Sequence, residues 1–250
     1  MTEHKVGTRE EWRAARNELL EKENELAERS EELAKERVEL PWVPVEKEYT
    51  FETDEGQKTL PELFDGRSQL LAYNIMFGPS YEAACPGCSN LADHLDSALV
   101  HLNNRDITLL CFSRAPNEKL QAYKQRMGWQ FPYVSTNGSD FPFDFELAIT
   151  EEQVAESEEL QTTLNEPPDW LQNWAKQVGT ELEKGMLENP SWIAFALDDG
   201  VVYHTYTRSA PDRDFVVPYY QQLLDRTPWG RRDEFFALRK DEYERAGAAR

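Results

Sequence analysis

The sequence predicts an α/β fold with a central sheet, a long helix before the sheet and an acidic helical insertion within it. Nearly continuous apolar runs at 69–77 and 106–112 are typical of strands that are covered on both faces. Amphipathic segments at 86–104 and 116–127 predict helices after these strands, and an extended segment covers 131–136. Strands that alternate with helices in this way indicate parallel pairing.

The first predicted domain, residues 1–44, is dominated by one long helix over 8–38. Thr8 and Glu11 form a capping-box pattern at its start, and prolines follow its end. Its apolar stripe recurs every seven residues at Trp12, Leu19, Leu26, Leu33 and Leu40. Two interpretations stay open: the helix lies across its own domain, or it forms a homodimer contact.

The second predicted domain covers 45–227 and holds the sheet. A hairpin turning at Asp54-Glu55-Gly56 opens it. A second hairpin, turning at Asp198-Asp199-Gly200, adds antiparallel strands at the edge, so we expect a mixed sheet. A helix at 217–226 closes the domain, and residues 228–250 form a polar tail.

Residues 144–189 interrupt this pattern as an insertion. They contain twelve acidic residues and two lysines, a net charge of −10 that is half of the chain's −20. Pro167 and Pro168 separate two predicted helices. We expect a solvated helical insertion.

The composition excludes several classes of partner. The chain has 250 residues, enough for one sizeable core or two small ones. Its net charge of −20 repels phosphate backbones and anionic lipid, so we expect neither nucleic acid nor a membrane as partner. No apolar run approaches the roughly 18–20 residues of a membrane span. The first residues lack an apolar signal region, which predicts a cytoplasmic protein.

A cysteine pair, Cys85 and Cys88, lies where a buried strand meets a helix. Metal ligation, redox chemistry and a structural disulfide all use this spacing. A helix N-terminus stabilises a thiolate, which favours redox chemistry at Cys85. Pro86 suits the first helical position, Gly87 permits close approach of another chain, and Cys88 is placed to resolve a mixed disulfide.

Metal ligation is the weaker interpretation. A structural zinc site needs four ligands, and the sequence has no second C-x-x-C. His94, the nearest other candidate, lies about 180° and 240° around a helix from the two cysteines. We therefore predict no metal and no cofactor. Cys111, between hydrophobic residues on a strand, is expected to be a buried structural thiol.

Several segments of the chain match a known family: they include "CPGCSNLADHLDSALVHLNNRDITLLCFSRAP", "KQRMGWQFPYVSTNGSDFPFDFE", "VYHTYTR" and "QLLDRTPWGRRDE". Through them the chain resembles the DUF899 family of thioredoxin-like proteins. The resemblance implies a thioredoxin-like fold in which Cys85 and Cys88 are the dithiol. Segments shared with the family also contain Tyr73, Arg114, Trp129, His204 and Tyr206. The sequence departs from the family at Asn74, where a histidine is usual, and at Asn90 and Leu91, where an aromatic pair is usual.

Three further residues are candidates for the site. Pro190 precedes a hairpin strand, where thioredoxin-like folds place a cis-proline opposite the cysteines; both isomers stay open. His204 alternates with aromatic residues, as a packed side chain or as a proton carrier near the dithiol. Arg114 lies at the carboxyl end of the sheet, either in a surface ion pair or at the ligand-binding edge.

The first functional hypothesis is a thiol–disulfide oxidoreductase. Its partners would be a disulfide- or thiol-containing substrate and an electron donor. One alternative is a non-enzymatic protein that binds a ligand or metal in the same pocket. The other is peroxide reduction, which is disfavoured because Glu82 occupies the position where peroxiredoxins carry Thr or Ser.

Overall fold

A computed structural model describes residues 5–209, 226–228 and 239–242. The helix predicted at 217–226 lies outside these ranges except for its last residue, and so does most of the tail predicted at 228–250. The chain divides into two compact units, Met1–Pro41 and Trp42–Arg250.

The first unit contains the helix α1, Arg9–Val38. The Thr8 side chain accepts from the amide of Glu11 at 3.2 Å, and the Glu11 carboxylate accepts from the amide of Thr8 at 2.7 Å. This capping box confirms the predicted start. No residue of 9–38 is buried, and the apolar stripe includes exposed Trp12 and Leu26. The homodimer contact through α1 stays a prediction.

The second unit is organised around one mixed sheet. Its strands are β1 (Val43–Pro44), β2 (Thr50–Thr53), β3 (Gly56–Thr59), β4 (Gln69–Asn74), β5 (Ile107–Ser113), β6 (Tyr133–Ser135), β7 (Ser191–Asp198) and β8 (Val201–Ser209). Their order is β1-β8-β7-β4-β5-β6-β2-β3. Strands β4, β5 and β6 are parallel, while β7 pairs antiparallel with both β4 and β8. A β4–helix–β5 crossover beside a β7–β8 hairpin is a thioredoxin-like core, which confirms the predicted fold.

Helices cover both faces of this sheet. They are α2 (Pro86–Ala92), α3 (Leu99–Asn103), α4 (Asn117–Met127), α5 (Phe141–Asp144), α6 (Glu151–Glu156), α7 (Glu158–Asn165), α8 (Asp169–Val178) and α9 (Leu182–Gly185), with 3-10 turns at Pro61–Phe64 and Asp96–Ala98. One core contains Tyr73, Cys88, Cys111 and Trp174. The other contains Phe51, Phe112, Phe141 and Phe195, so alternate residues of each strand enter opposite cores.

The single helix predicted over 86–104 is wrong. Helix α2 ends at Ala92, and a 3-10 turn precedes α3. The Asp96 carboxylate accepts from the amides of Gln130 and Phe131 at 3.0–3.1 Å, which ties this segment to the connection between α4 and β6. These bonds to a segment more than thirty residues away favour the break, because tertiary contacts override local helix propensity.

The insertion is also more than a solvated segment. Its acidic residues are largely exposed, but α8 buries Leu171, Trp174, Ala175 and Val178. Their i, i+3, i+4, i+7 spacing forms one apolar face. That face enters the same core as Cys88. Within the described ranges, no helix has the length and apolar character to cross a membrane.

Candidate functional site

The Cys85 sulfur lies at the start of α2, on the loop that leaves β4. Cys85 is the N-cap residue of α2, and its backbone amide donates to the carbonyl of Met76 at 2.9 Å. Pro86 occupies the first turn, where its missing N–H costs no hydrogen bond. Cys85 is partly exposed, whereas Cys88 is only 4% exposed. All three cysteines are free thiols.

Several donors converge on the sulfur of Cys85. The indole nitrogen of Trp174 donates to it at 3.3 Å. The hydrogen bond from the thiol of Cys88 lowers the pKa of Cys85 the most. The amides of Cys88 and Gly87 and the indole of Trp174 act in the same direction, while burial opposes them. The resulting pKa of Cys85 is about 6. The thiolate is therefore the prevailing form of Cys85 at neutral pH.

Because α2 has only seven residues, these local donors replace the long helix dipole expected from the sequence. The Cys85 sulfur makes no cap hydrogen bond of normal geometry. The amides of Gly87 and Cys88 nevertheless lie near enough to stabilise its charge. The side chains of Cys88 and Trp174 complete the arrangement.

Cys88 has the opposite character. The hydrogen bond with Cys85, burial and the charge of Cys85 all raise the pKa of Cys88 well above its ordinary value. The hydroxyl of Tyr73 donates to the Cys88 sulfur at 3.4 Å and acts in the other direction. Burial raises the pKa of Tyr73 itself, so its hydroxyl keeps the proton that it donates. The pair therefore consists of one thiolate and one buried thiol.

Two aromatic contacts fix the neighbours of the dithiol. Trp192 on β7 packs against Tyr73, with ring centroids 5.0 Å apart. Tyr81 packs edge-on against Trp174 at 5.9 Å, and its hydroxyl donates to the carbonyl of Gly185 at 2.6 Å. A Cβ atom at Gly185 would lie 2.7 Å from the Trp174 ring. Glycine at 185 therefore leaves room for the indole.

The structure brings Tyr73, Pro86 and Gly87 together with the two cysteines. Pro190 lies just before β7, and the Asn189–Pro190 bond is trans. Asn74, which replaces the family histidine, donates through its amide to the carbonyls of Asn189 at 2.7 Å and Leu147 at 3.0 Å. The side chain of Asn74 therefore binds the backbone two residues before β7 begins.

Arg114 does not lie at the dithiol. Its guanidinium pairs with the Glu188 carboxylate at 3.0 Å and stacks over the ring of Phe143 at 4.7 Å. Glu188 is buried, so this is neither the surface ion pair nor the open ligand-binding group considered from the sequence. Burial, opposed by Arg114, raises the pKa of Glu188 to about 7.

His204 lies on the face of the sheet opposite the dithiol. It packs against Phe145 and Phe195, with ring centroids 5.2 and 5.6 Å away, and its Nε2 contacts Thr207 Oγ1 at 2.6 Å. A register shift near Thr205 pairs His204 with Phe195 while Tyr206 pairs with Ala194. Pairing is regular from the turn at 198–201 up to His204, so His204 shares the face of Val202 and Phe195 by ordinary alternation, and the structure does not bring it to the dithiol. Burial lowers the pKa of His204.

Metal-binding geometry is absent from the part of the chain that the structure describes. No group of three or more His, Cys, Asp or Glu side chains is placed there to hold an ion. Cys111 is fully buried on β5, beside Tyr73 in register, as expected for a structural thiol.

Sequence reasoning missed two residues that bear on the site. Trp174 is 89 residues from the cysteine that it contacts. The spacing of apolar residues on α8 could have shown that its face is buried, but not which sulfur it meets. Arg239, 4% exposed, donates to the carbonyl of Ala84 at 2.7 Å, directly before Cys85. No local pattern marks this arginine.

Comparison with known proteins gives one family and several distant structures. The family model described as "Bacterial protein of unknown function (DUF899)" matches residues 1–246. No curated protein matches the sequence. Peroxiredoxin Q from Xanthomonas campestris is similar at 13% identity and a TM-score of 0.44, over 66% of this chain and 81% of that one. Peroxidoxin BcpB from Mycobacterium tuberculosis is similar at 15% identity and a TM-score of 0.38, over 69% and 86%.

Proposed function

We propose that this chain, which belongs to the DUF899 family, is a thiol–disulfide oxidoreductase with Cys85 as nucleophile and Cys88 as resolving thiol. The observation that carries the proposal is the asymmetry of the pair. Cys85 is partly exposed with a pKa lowered to about 6, while burial and the charge of Cys85 raise the pKa of Cys88. Disulfide exchange is favoured by an attacking thiol whose pKa lies near ambient pH, next to a partner thiol that stays protonated.

The first step forms a mixed disulfide. The Cys85 thiolate attacks one sulfur of a substrate disulfide, whose S–S bond breaks, and the departing thiolate takes a proton from water. Cys88 then attacks the Cys85 sulfur, the bond between Cys85 and the substrate sulfur breaks, and the departing substrate thiolate takes up the proton that Cys88 loses. Cys85 and Cys88 end as a disulfide, and the substrate has gained two electrons and two protons. A dithiol, or two thiols, then reduce the Cys85–Cys88 disulfide by the same exchange and are themselves oxidised to a disulfide.

The environment of Cys88 supports the second step. In the reduced protein the charge of Cys85 and its hydrogen bond with Cys88 are two of the three causes that raise the Cys88 pKa. Both disappear when Cys85 enters a mixed disulfide, because its sulfur is then uncharged. The Tyr73 hydroxyl remains as a donor to the forming Cys88 thiolate. Cys88 thus becomes more acidic when its attack is required.

Peroxide reduction is a second candidate, because the same low-pKa thiol can attack an O–O bond and Cys88 can resolve the resulting sulfenic acid. Glu82, at the position of the peroxiredoxin hydroxyl, is exposed and packs against Gly179. It therefore supplies no donor to a bound peroxide. The disulfide reaction is preferred on this ground.

Trapping of the mixed disulfide tests the proposal. The Cys88→Ala variant should accumulate a covalent adduct on Cys85 when a model disulfide is added, and Cys85→Ala should form none. Cys111→Ala is the matched control and should cycle like the natural chain. Turnover with hydrogen peroxide but with no disulfide would favour the second candidate. Absence of both reactions, with the two thiols unchanged, would leave a non-enzymatic binding protein.

A further inference from the structure

We propose that Arg239 is a positioning residue that holds the indole of Trp174 against the sulfur of Cys85. The inference rests on the proposed function, since it concerns how that thiolate is maintained. Arg239 belongs to residues 239–242, far along the chain from both residues that it would position.

One nitrogen of Arg239 joins the two elements that meet at the site. Its Nη2 donates to the carbonyl of Ala84 at 2.7 Å and to the carbonyl of Gln177 at 3.1 Å. Ala84 directly precedes Cys85, and Gln177 lies three residues after Trp174 on α8. The bridge therefore links the Cys85 loop to the helix that carries the indole, beside the bonds from the amides of Glu82 and Ala83 to the carbonyl of Val178.

A second branch of the same guanidinium reaches the other side of Cys85. Its Nε lies 3.0 Å from the hydroxyl of Tyr123, which is 2.9 Å from Ser89 Oγ. Ser89 donates to the carbonyl of Cys85 at 2.9 Å. Arg239 thus binds the carbonyl of Ala84 directly and reaches the carbonyl of Cys85 through Tyr123 and Ser89. These two carbonyls flank Cys85.

Acidic neighbours compensate the buried charge of Arg239. Its Nη1 pairs with Glu242 at 2.8 Å, and Arg126 on α4 pairs with Asp241 at 3.0 Å. Lys240 pairs with Asp93 at the end of α2 at 3.2 Å. These ion pairs hold residues 239–242 against α2 and α4. The backbone from which the Arg239 side chain extends is thereby positioned.

Arginine suits this position in a way that lysine does not. A planar guanidinium has five donors in a fixed fork, whereas a lysine ammonium is a point charge on a flexible stem. Serving Ala84, Gln177, Tyr123 and Glu242 together requires the fork. The amides of Glu82 and Ala83 also donate to the carbonyl of Val178, at 2.8 and 3.3 Å, so the end of α8 stays attached without Arg239. Loss of Arg239 should therefore change the geometry of the site and leave the fold.

The test is a double-mutant cycle read at Cys85. The rate of alkylation of Cys85 by iodoacetamide, followed by peptide mass spectrometry as a function of pH, reports its thiolate fraction. Arg239→Gln and Trp174→Phe should each move the inflection of the rate–pH curve upward by about one pH unit. Below the inflection this is a roughly tenfold loss of thiolate. The double variant should move it no further, because both changes remove the same hydrogen bond.

Arg239→Lys separates positioning from charge, and it replaces Arg239→Gln if that variant does not fold. We expect the lysine variant to resemble the glutamine variant, since one ammonium nitrogen cannot serve both carbonyls, Tyr123 and Glu242 together. Retention of the natural inflection by the lysine variant, or additive shifts in the double variant, would overturn the inference. Arg67→Gln, which removes an ion pair with Asp65 at 2.9 Å elsewhere, is the control and should leave the inflection unchanged. A natural chain whose Cys85 titrates near 8.5 would instead contradict the proposed function.

Discussion

The indole nitrogen of Trp174 lies 3.3 Å from the sulfur of Cys85, although 89 residues separate them in the chain. This contact joins the acidic insertion to the dithiol. The insertion therefore places a hydrogen-bond donor at the proposed nucleophile, through a residue on its buried apolar face.

Trp174→Phe should raise the pKa of Cys85. A hydrogen bond to a charged group contributes about 1.5–3 kcal/mol, which corresponds to about one to two pKa units. The phenyl ring keeps most of the packing against Tyr81 and removes the donor. Alkylation of Cys85 at pH 6 should slow about fivefold for a rise of one unit and about fiftyfold for a rise of two. Trp170→Phe, an exposed position on the same helix, is the control, and an unchanged rate in Trp174→Phe would contradict this role.

Tyr73→Phe should slow resolution of the mixed disulfide without slowing its formation. The lost hydroxyl is a donor to Cys88 at 3.4 Å, whereas the groups that hydrogen-bond to the attacking sulfur of Cys85 are Cys88, Trp174 and Gly87. We expect about tenfold slower release of the second substrate thiol, since a charge-assisted hydrogen bond is lost. Rapid acid quenching followed by mass spectrometry measures both steps. Equal slowing of attack and release would show that Tyr73 acts on the whole site instead.

Gly185→Ala should disturb Trp174 by direct overlap. The new Cβ would lie 2.7 and 2.9 Å from two ring carbons and 3.3 Å from Thr180 Cγ2. Overpacking of this kind costs about 1–3 kcal/mol of folding free energy. Urea unfolding should show that loss, and the alkylation profile of Cys85 should move to higher pH as the indole moves. A destabilised variant with a natural profile would separate the packing of Trp174 from its hydrogen bond.

Glu188→Gln should alter how stability depends on pH. The folded-state pKa of Glu188 is raised from 4.5 to about 7, so folding favours its protonated form. The stabilising contribution is complete below pH 4.5 and is lost as the pH rises through about 7. The natural chain should therefore lose about 3 kcal/mol relative to the glutamine variant across this window. Urea unfolding at several pH values measures the difference, and a constant difference would contradict the raised pKa.

Local patterns predicted much of the fold and the proximity of the two cysteines. The apolar runs identified β4 and β5, the capping pattern at Thr8 identified the start of α1, and the cysteine spacing identified the dithiol. Features decided by distant contacts were not predictable in the same way. Asp96, in the 3-10 turn after α2, bonds to the amides of Gln130 and Phe131, and the pairing of β8 with β7 places His204 on the face opposite the dithiol.

The pH dependence of Cys85 alkylation in the natural, fully reduced chain tests the central claim most directly. The account predicts that the rate rises with pH through an inflection at about 6, with Cys88 unmodified over the same range. An inflection at the ordinary thiol value near 8.5, or equal modification of both cysteines, would contradict the assignment of Cys85 as the stabilised nucleophile.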